Sequence, residues 1–73
     1  MKIEFISRLP DGIERVVVTL TDDNQWIGDE DRIKVIKEEL EQRNIDWRTD
    51  AGKEKIPYVF WGSYFWAAMP KHK

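Results

Sequence analysis

The sequence predicts an α+β fold: an N-terminal β-hairpin, one amphipathic helix packed on an antiparallel sheet, and two or three aromatic-rich C-terminal strands completing that sheet. Three observations carry this expectation. Apolar residues alternate with period two over the first twenty positions, on either side of a Pro-Asp-Gly turn. A capped segment with helical spacing follows. Finally, six of the ten residues from Pro57 to Trp66 are aromatic.

The hairpin comes first, at about residues 1–20. Met1, Ile3, Phe5 and Leu9 fall on one side of the first strand, Lys2, Glu4 and Arg8 on the other, with Ile6 the exception on the polar side. Pro10-Asp11-Gly12 supplies turn chemistry. The second strand, Ile13–Leu20, places Val16, Val18 and Leu20 inward and Arg15, Val17 and Thr19 outward.

Thr21–Gly28 reads as a polar connection with Trp26 and Ile27 embedded in it. A helix over about 29–43 begins at Asp29 as N-cap, with Glu30 and Asp31 in the first turn, where the positive end of the dipole favours anions. Ile33, Ile36 and Leu40 form its apolar stripe, with Val35 at the margin. Asn44 tolerates the left-handed conformation and ends the helix near Arg43, with Ile45 folding back.

C-terminal strands are expected over about 45–69. Ile45–Thr49 reads as a short strand containing Trp47, and Asp50–Lys55 as a mobile loop. The aromatic segment admits two readings. The favoured one is a hairpin of Ile56–Trp61 and Tyr64–Ala68 around a type II′ turn at Gly62-Ser63. The other is one long strand with a bulge at Gly62. The tail Pro70–Lys73 is expected to fray. The expected core is Ile3, Phe5, Val16, Val18, Leu20, Ile33, Ile36, Leu40, Val59 and part of the aromatic set.

With 73 residues the chain reads as a single domain, 1–73, and its lack of cysteine rules out disulfides and thiolate metal sites. It lacks the apolar run of a signal peptide or membrane span, so a cytoplasmic, soluble protein with no membrane partner is expected. Net charge is −2, but residues 1–42 carry −5 and residues 43–73 carry +3. The aromatic segment thus lies on the basic side.

No catalytic residue, cofactor or metal is expected. An EF-hand loop started at Asp23 would put Gln25 and Ile27 at ligand positions and Lys34 where a bidentate glutamate belongs. Helix capping by these carboxylates is the simpler reading. His72, the one imidazole, lies in the tail, too loosely held for a general base or zinc ligand. The glycines are scattered at 12, 28, 52 and 62, so no phosphate-binding loop forms.

Binding is the better expectation. Six rings amount to ~900–1,500 Å² of burial, more than one helix covers on a thin sheet. Trp47, Tyr58, Trp61, Tyr64 and Trp66 are therefore the candidate partner-binding residues, engaging a protein or a second copy of the chain. The alternative is single-stranded nucleic acid stacked on an aromatic sheet face near Arg48, Lys53, Lys55, Lys71 and Lys73. In length, cysteine-free composition, charge richness and hairpin-plus-helix build, the chain resembles the small accessory proteins made early by bacteriophages and related mobile elements. That resemblance implies a non-catalytic module binding a host or viral protein, in the host cytoplasm if phage-encoded, and transfers no functional residue.

Overall fold

Four antiparallel strands form one sheet and two helices pack against it, in the order β1 (Ile3–Arg8), β2 (Glu14–Leu20), β3 (Trp26–Gly28), α1 (Glu30–Gln42), α2 (Asp50–Val59) and β4 (Phe65–Ala68). This computed structural model describes residues 1–70. Of the tail expected to fray, Pro70–Lys73, residues 71–73 lie outside the described residues. The sheet order is β3-β2-β1-β4, so the N- and C-terminal strands are neighbours at its centre and edge. The α+β class and the antiparallel sheet are as the sequence predicts.

The β1–β2 hairpin closes through Leu9 N–H to the Ile13 carbonyl and Gly12 N–H to the Leu9 carbonyl, both at 2.9 Å. Its register contains a shift the alternation pattern does not reveal. Phe5 pairs with Val18, but Ile6 pairs with Val16, leaving Val17 as an extra residue in β2. A bulge of this kind reverses the facing of every residue beyond it. Val16, expected inside, is exposed, whereas Val17, expected outside, packs against the core. The segment 26–28, read as connection, becomes a third strand on β2. Its last residue, Gly28, has φ 133°, and a Cβ there would lie 2.3 Å from the Val17 carbonyl oxygen. Only glycine fits between the bulge and the start of α1.

Both ends of α1 follow the sequence. Asp29 is the N-cap, its Oδ1 accepting from the backbone N–H of Asp31 (2.9 Å) and Arg32 (3.2 Å). Asn44 has φ 58°. The Asn44 N–H reaches the Glu41 carbonyl at 3.1 Å and the Ile45 N–H reaches that of Leu40 at 2.9 Å. These two bonds make a complete Schellman motif, with Ile45 packed back onto the core.

The C-terminal third departs from expectation. Ile45–Thr49 forms turns rather than a strand, and Asp50–Lys55, read as a loop, opens α2. Thr49 caps this helix through its Oγ1, which accepts the Gly52 N–H at 3.0 Å and donates to the Asp46 carbonyl at 3.0 Å. α2 runs through Pro57, whose missing N–H forfeits the bond to the Lys53 carbonyl. Ile56–Val59 is therefore helix, and a single C-terminal strand, β4, completes the sheet against β1. No type II′ turn forms, because Gly62 does not take the positive φ which that turn demands. Residues 60–64 instead carry the chain from α2 to β4, closed by Ala67 N–H to the Phe60 carbonyl at 2.7 Å.

The core lies between the sheet and the helices: Ile3, Phe5, Val18, Leu20, Ile36, Leu40, Trp47, Ile56 and Ala67. Ile33 and Val59 are half-buried at its margin. Phe5 is its hub, with ring centroids 6.0 Å from Trp26, 5.4 Å from Phe60 and 6.4 Å from Phe65. Such pairs add about 0.5–1.5 kcal/mol each beyond their burial. Lys53 is the buried charged residue among those described, and its Nζ donates to the carbonyls of Met1 (3.2 Å) and Thr21 (3.4 Å). It ties α2 to the start of β1 and the end of β2.

Candidate interaction surface

Side chains alternate across a strand, so register assigns each residue of the sheet to a face. Ile3, Phe5, Val18, Leu20 and Ala67 are buried under the helices. Their neighbours in the pairing pattern therefore project from the opposite face, on which neither helix lies. Three cross-strand rows occupy that face. The middle row is Val16–Ile6–Trp66, set by the pairs Ile6↔Val16 and Ile6↔Trp66. On one side lies Ile27–Thr19–Glu4–Ala68. On the other side are Glu14 and Arg8, paired in the ladder, and Tyr64, whose carbonyl accepts the Arg8 N–H at 2.9 Å.

This face carries one guanidinium, Arg8, and two carboxylates, Glu4 and Glu14. The Arg8 guanidinium sits 5.1 Å from the Trp66 ring centroid and bonds Glu14 through Nη2 (2.6 Å) and Nε (3.1 Å). A cation over an indole face is worth about 0.5–1 kcal/mol at an exposed site. The arrangement clamps Arg8 along the edge of the apolar row, so Ile6 and Trp66 are half-buried while Val16 and Ile27 are exposed.

The sequence-predicted site residues divide. Trp47 is 7% exposed and belongs to the core. It stacks edge-on to Trp26 at 5.2 Å, with the Arg48 guanidinium 4.2 Å and Lys37 Nζ 5.6 Å from its ring centroid. The turn that replaces the expected Ile45–Thr49 strand folds this ring under the sheet. Tyr58 and Trp61, by contrast, are 81% and 77% exposed, at the end of α2 and in the link to β4. Tyr64 is 66% exposed and shares the helix-free face with Trp66. Sequence reasoning missed Ile6, Val16 and Ile27 as surface residues. The one available signal was Ile6, apolar on the polar side of its strand.

On the helix side, Val35, Ile36, Phe60 and Phe65 line an open cleft of ≈ 410 Å³, edged by Asp31 and Arg32. Among the described residues no group of three or more His, Cys, Asp or Glu is placed to hold a metal ion, and no helix is long and apolar enough to cross a membrane.

No family model matches this chain, and no solved structure matches it. It is similar to the xanthan biosynthesis protein XanB of Xanthomonas campestris pv. campestris, in strain B100 and in strain ATCC 33913, with 40% identity over 53 residues in each case. That alignment covers 73% of this chain but 11% of XanB. The chain thus spans about a ninth of the relative, too little to place it in that protein's family.

Proposed function

We propose that this chain is a non-catalytic protein-interaction module, presenting the helix-free face of its sheet and the aromatic link beyond α2 to a protein partner. The observation that supports this most is the one-sidedness of the fold. Both helices cover the same face, so Val16, Ile6, Trp66 and Ile27 have no layer above them. Exposed Tyr64 shares that face, exposed Tyr58 and Trp61 lie at the end of α2 and in the link to β4, and Trp and Tyr dominate the energetics of protein contacts. Such a role suits a small accessory protein of the phage type, working in the cytoplasm.

Single-stranded nucleic acid is less well supported. Of the face's rings, Trp66 is already covered by Arg8, which is itself neutralised by Glu14, and Glu4 stands on the same face. A phosphate backbone would meet carboxylates there rather than free cations.

Site-specific photocrosslinking tests the reading. A benzophenone side chain is placed at position 61 or 66, or, as control, at Glu38 on the exposed side of α1. Protein adducts at the first two positions and none at the third are expected in native-cell extract. Adducts that nuclease removes, or none at any position, would overturn the proposal.

A further inference from the structure

Resting on the reading of this chain as an interaction module, we infer that the helix-free face takes a second copy of the same chain, the two sheets stacking about a two-fold axis along the row Val16–Ile6–Trp66.

The pattern of charge on the central strand selects this geometry. β1 presents Glu4, Ile6 and Arg8 on the open face, a carboxylate and a guanidinium equally spaced about an apolar centre, with Arg8 also paired to Glu14 of its own chain. When two sheets pack face to face about 10 Å apart, a two-fold can run across the strands or along them. An axis across the strands through Ile6 lays β1 antiparallel on its copy. Ile6 then meets Ile6, and Arg8 of each protomer meets Glu4 of the other. An axis along the strands would set Arg8 over Arg8 and Glu4 over Glu4, with like charges facing in a desolvated layer. In the first arrangement Arg8 bridges Glu14 of its own chain and Glu4 of the other, and in the second the two Glu4 carboxylates face each other without a cation.

The flanking rows fit the same operation. Trp66 lies over Trp66 and Val16 over Val16. The row holding Ala68 lies over the row holding Tyr64, so the smallest side chain on β4 faces the large exposed ring. β4 offers little competing route through its edge, because Ala67 N–H, which points away from β1, is already taken by the Phe60 carbonyl.

Size sets the strength. Four strands of this length project to about 320 Å². That is below the roughly 800 Å² per partner of a standard specific interface. A dimer that assembles at micromolar rather than nanomolar concentration follows.

Two variants test the register. In Arg8→Glu, both cross-dimer contacts become carboxylate on carboxylate. In Glu4→Arg, both become cation on cation. Each variant alone should self-associate on the order of a hundredfold more weakly than the unaltered chain in sedimentation velocity. Mixing the two should restore the dimer, since every contact in the mixed pair joins opposite charges. Glu38→Gln, on the exposed side of α1 and outside the face, should leave self-association unchanged. Should either charge variant fail to fold, isotope-filtered NMR on mixed labelled and unlabelled wild-type chains reads the same geometry, through Ile6–Ile6 and Trp66–Trp66 contacts. A dimer lacking those contacts, or single variants as dimeric as wild type, overturns the inference. A chain monomeric up to millimolar concentration does so too. If position 61 still crosslinks to another protein in that last case, the interaction reading survives and only the choice of partner falls.

Discussion

Replacing Gly52 by alanine sets two physical effects against each other with opposite signs. Gly52 lies in the first turn of α2, where alanine is intrinsically better than glycine by about 0.5–1 kcal/mol. On propensity alone Gly52→Ala should stabilise the protein. The structure requires the reverse. An alanine Cβ would stand 1.7 Å from the Asp46 carbonyl oxygen and 2.5 Å from its carbon, whereas real Cβ contacts essentially never fall below 3.0 Å. The Asp46 carbonyl would have to retreat by about 1.3 Å. That same oxygen accepts the Thr49 N–H (3.2 Å) and the Thr49 hydroxyl (3.0 Å), and the hydroxyl in turn caps Gly52. Overpacking of this kind costs about 1–3 kcal/mol and loss of the cap about 1 more. After the propensity gain the net loss is about 1–3.5 kcal/mol, against a total of about 4–11 kcal/mol for a domain this size. Urea denaturation followed by tryptophan fluorescence and circular dichroism reads it. With a slope near 1 kcal/mol per molar, the midpoint should fall by about 1–3.5 M, and by more than in Thr49→Ala. A Gly52→Ala midpoint equal to or above wild type would show that α2 does not start against the Asp46 carbonyl, and would refute the placement of the helix.

Three further outcomes test the rest of the fold. Lys53→Met keeps the buried stem but strips the Met1 and Thr21 carbonyls of a donor, and should cost about 1–3 kcal/mol in the same denaturation assay. The bulge is checked by a pair measured at concentrations low enough to keep the chain monomeric: Val17→Thr, facing the core, should lose about 1–2 kcal/mol, and Val16→Thr less than about 0.5. Asn44→Ala places a Cβ-bearing residue without a local hydrogen-bonding side chain at φ 58° and should lower the melting temperature, while Asn44→Gly should leave it unchanged or raise it.

The local elements were legible because their signals lie within a few residues. Asp29 satisfies donors two and three positions on, and Asn44 closes a motif only six residues wide. The expected core residues Ile3, Phe5, Val18, Leu20, Ile36 and Leu40 are all buried for the same reason, since strand and helix periods are written in adjacent positions. Of the residues singled out by type for the candidate site, Tyr58, Trp61 and Tyr64 are exposed and Trp47 is buried, because the same indole serves as core or as anchor depending on where the chain folds it.

The α+β class, the hairpin and the capped first helix belong to the sequence by itself, through period, turn and cap. Three features were decided only in three dimensions. α2 carries a glycine and a proline that argue against a helix locally. It forms because Ile56 and Lys53 are buried and Gly52 lets the Asp46 backbone approach. The bulge at Val17 exchanges the inward and outward valines of β2, an exchange that depends on pairing with β1 rather than on β2 itself. Finally, both helices settle on one face of the sheet, since Trp47 and Ile56 bury against Phe5's side of it, and that choice leaves Ile6, Val16 and Trp66 on the face that neither helix covers.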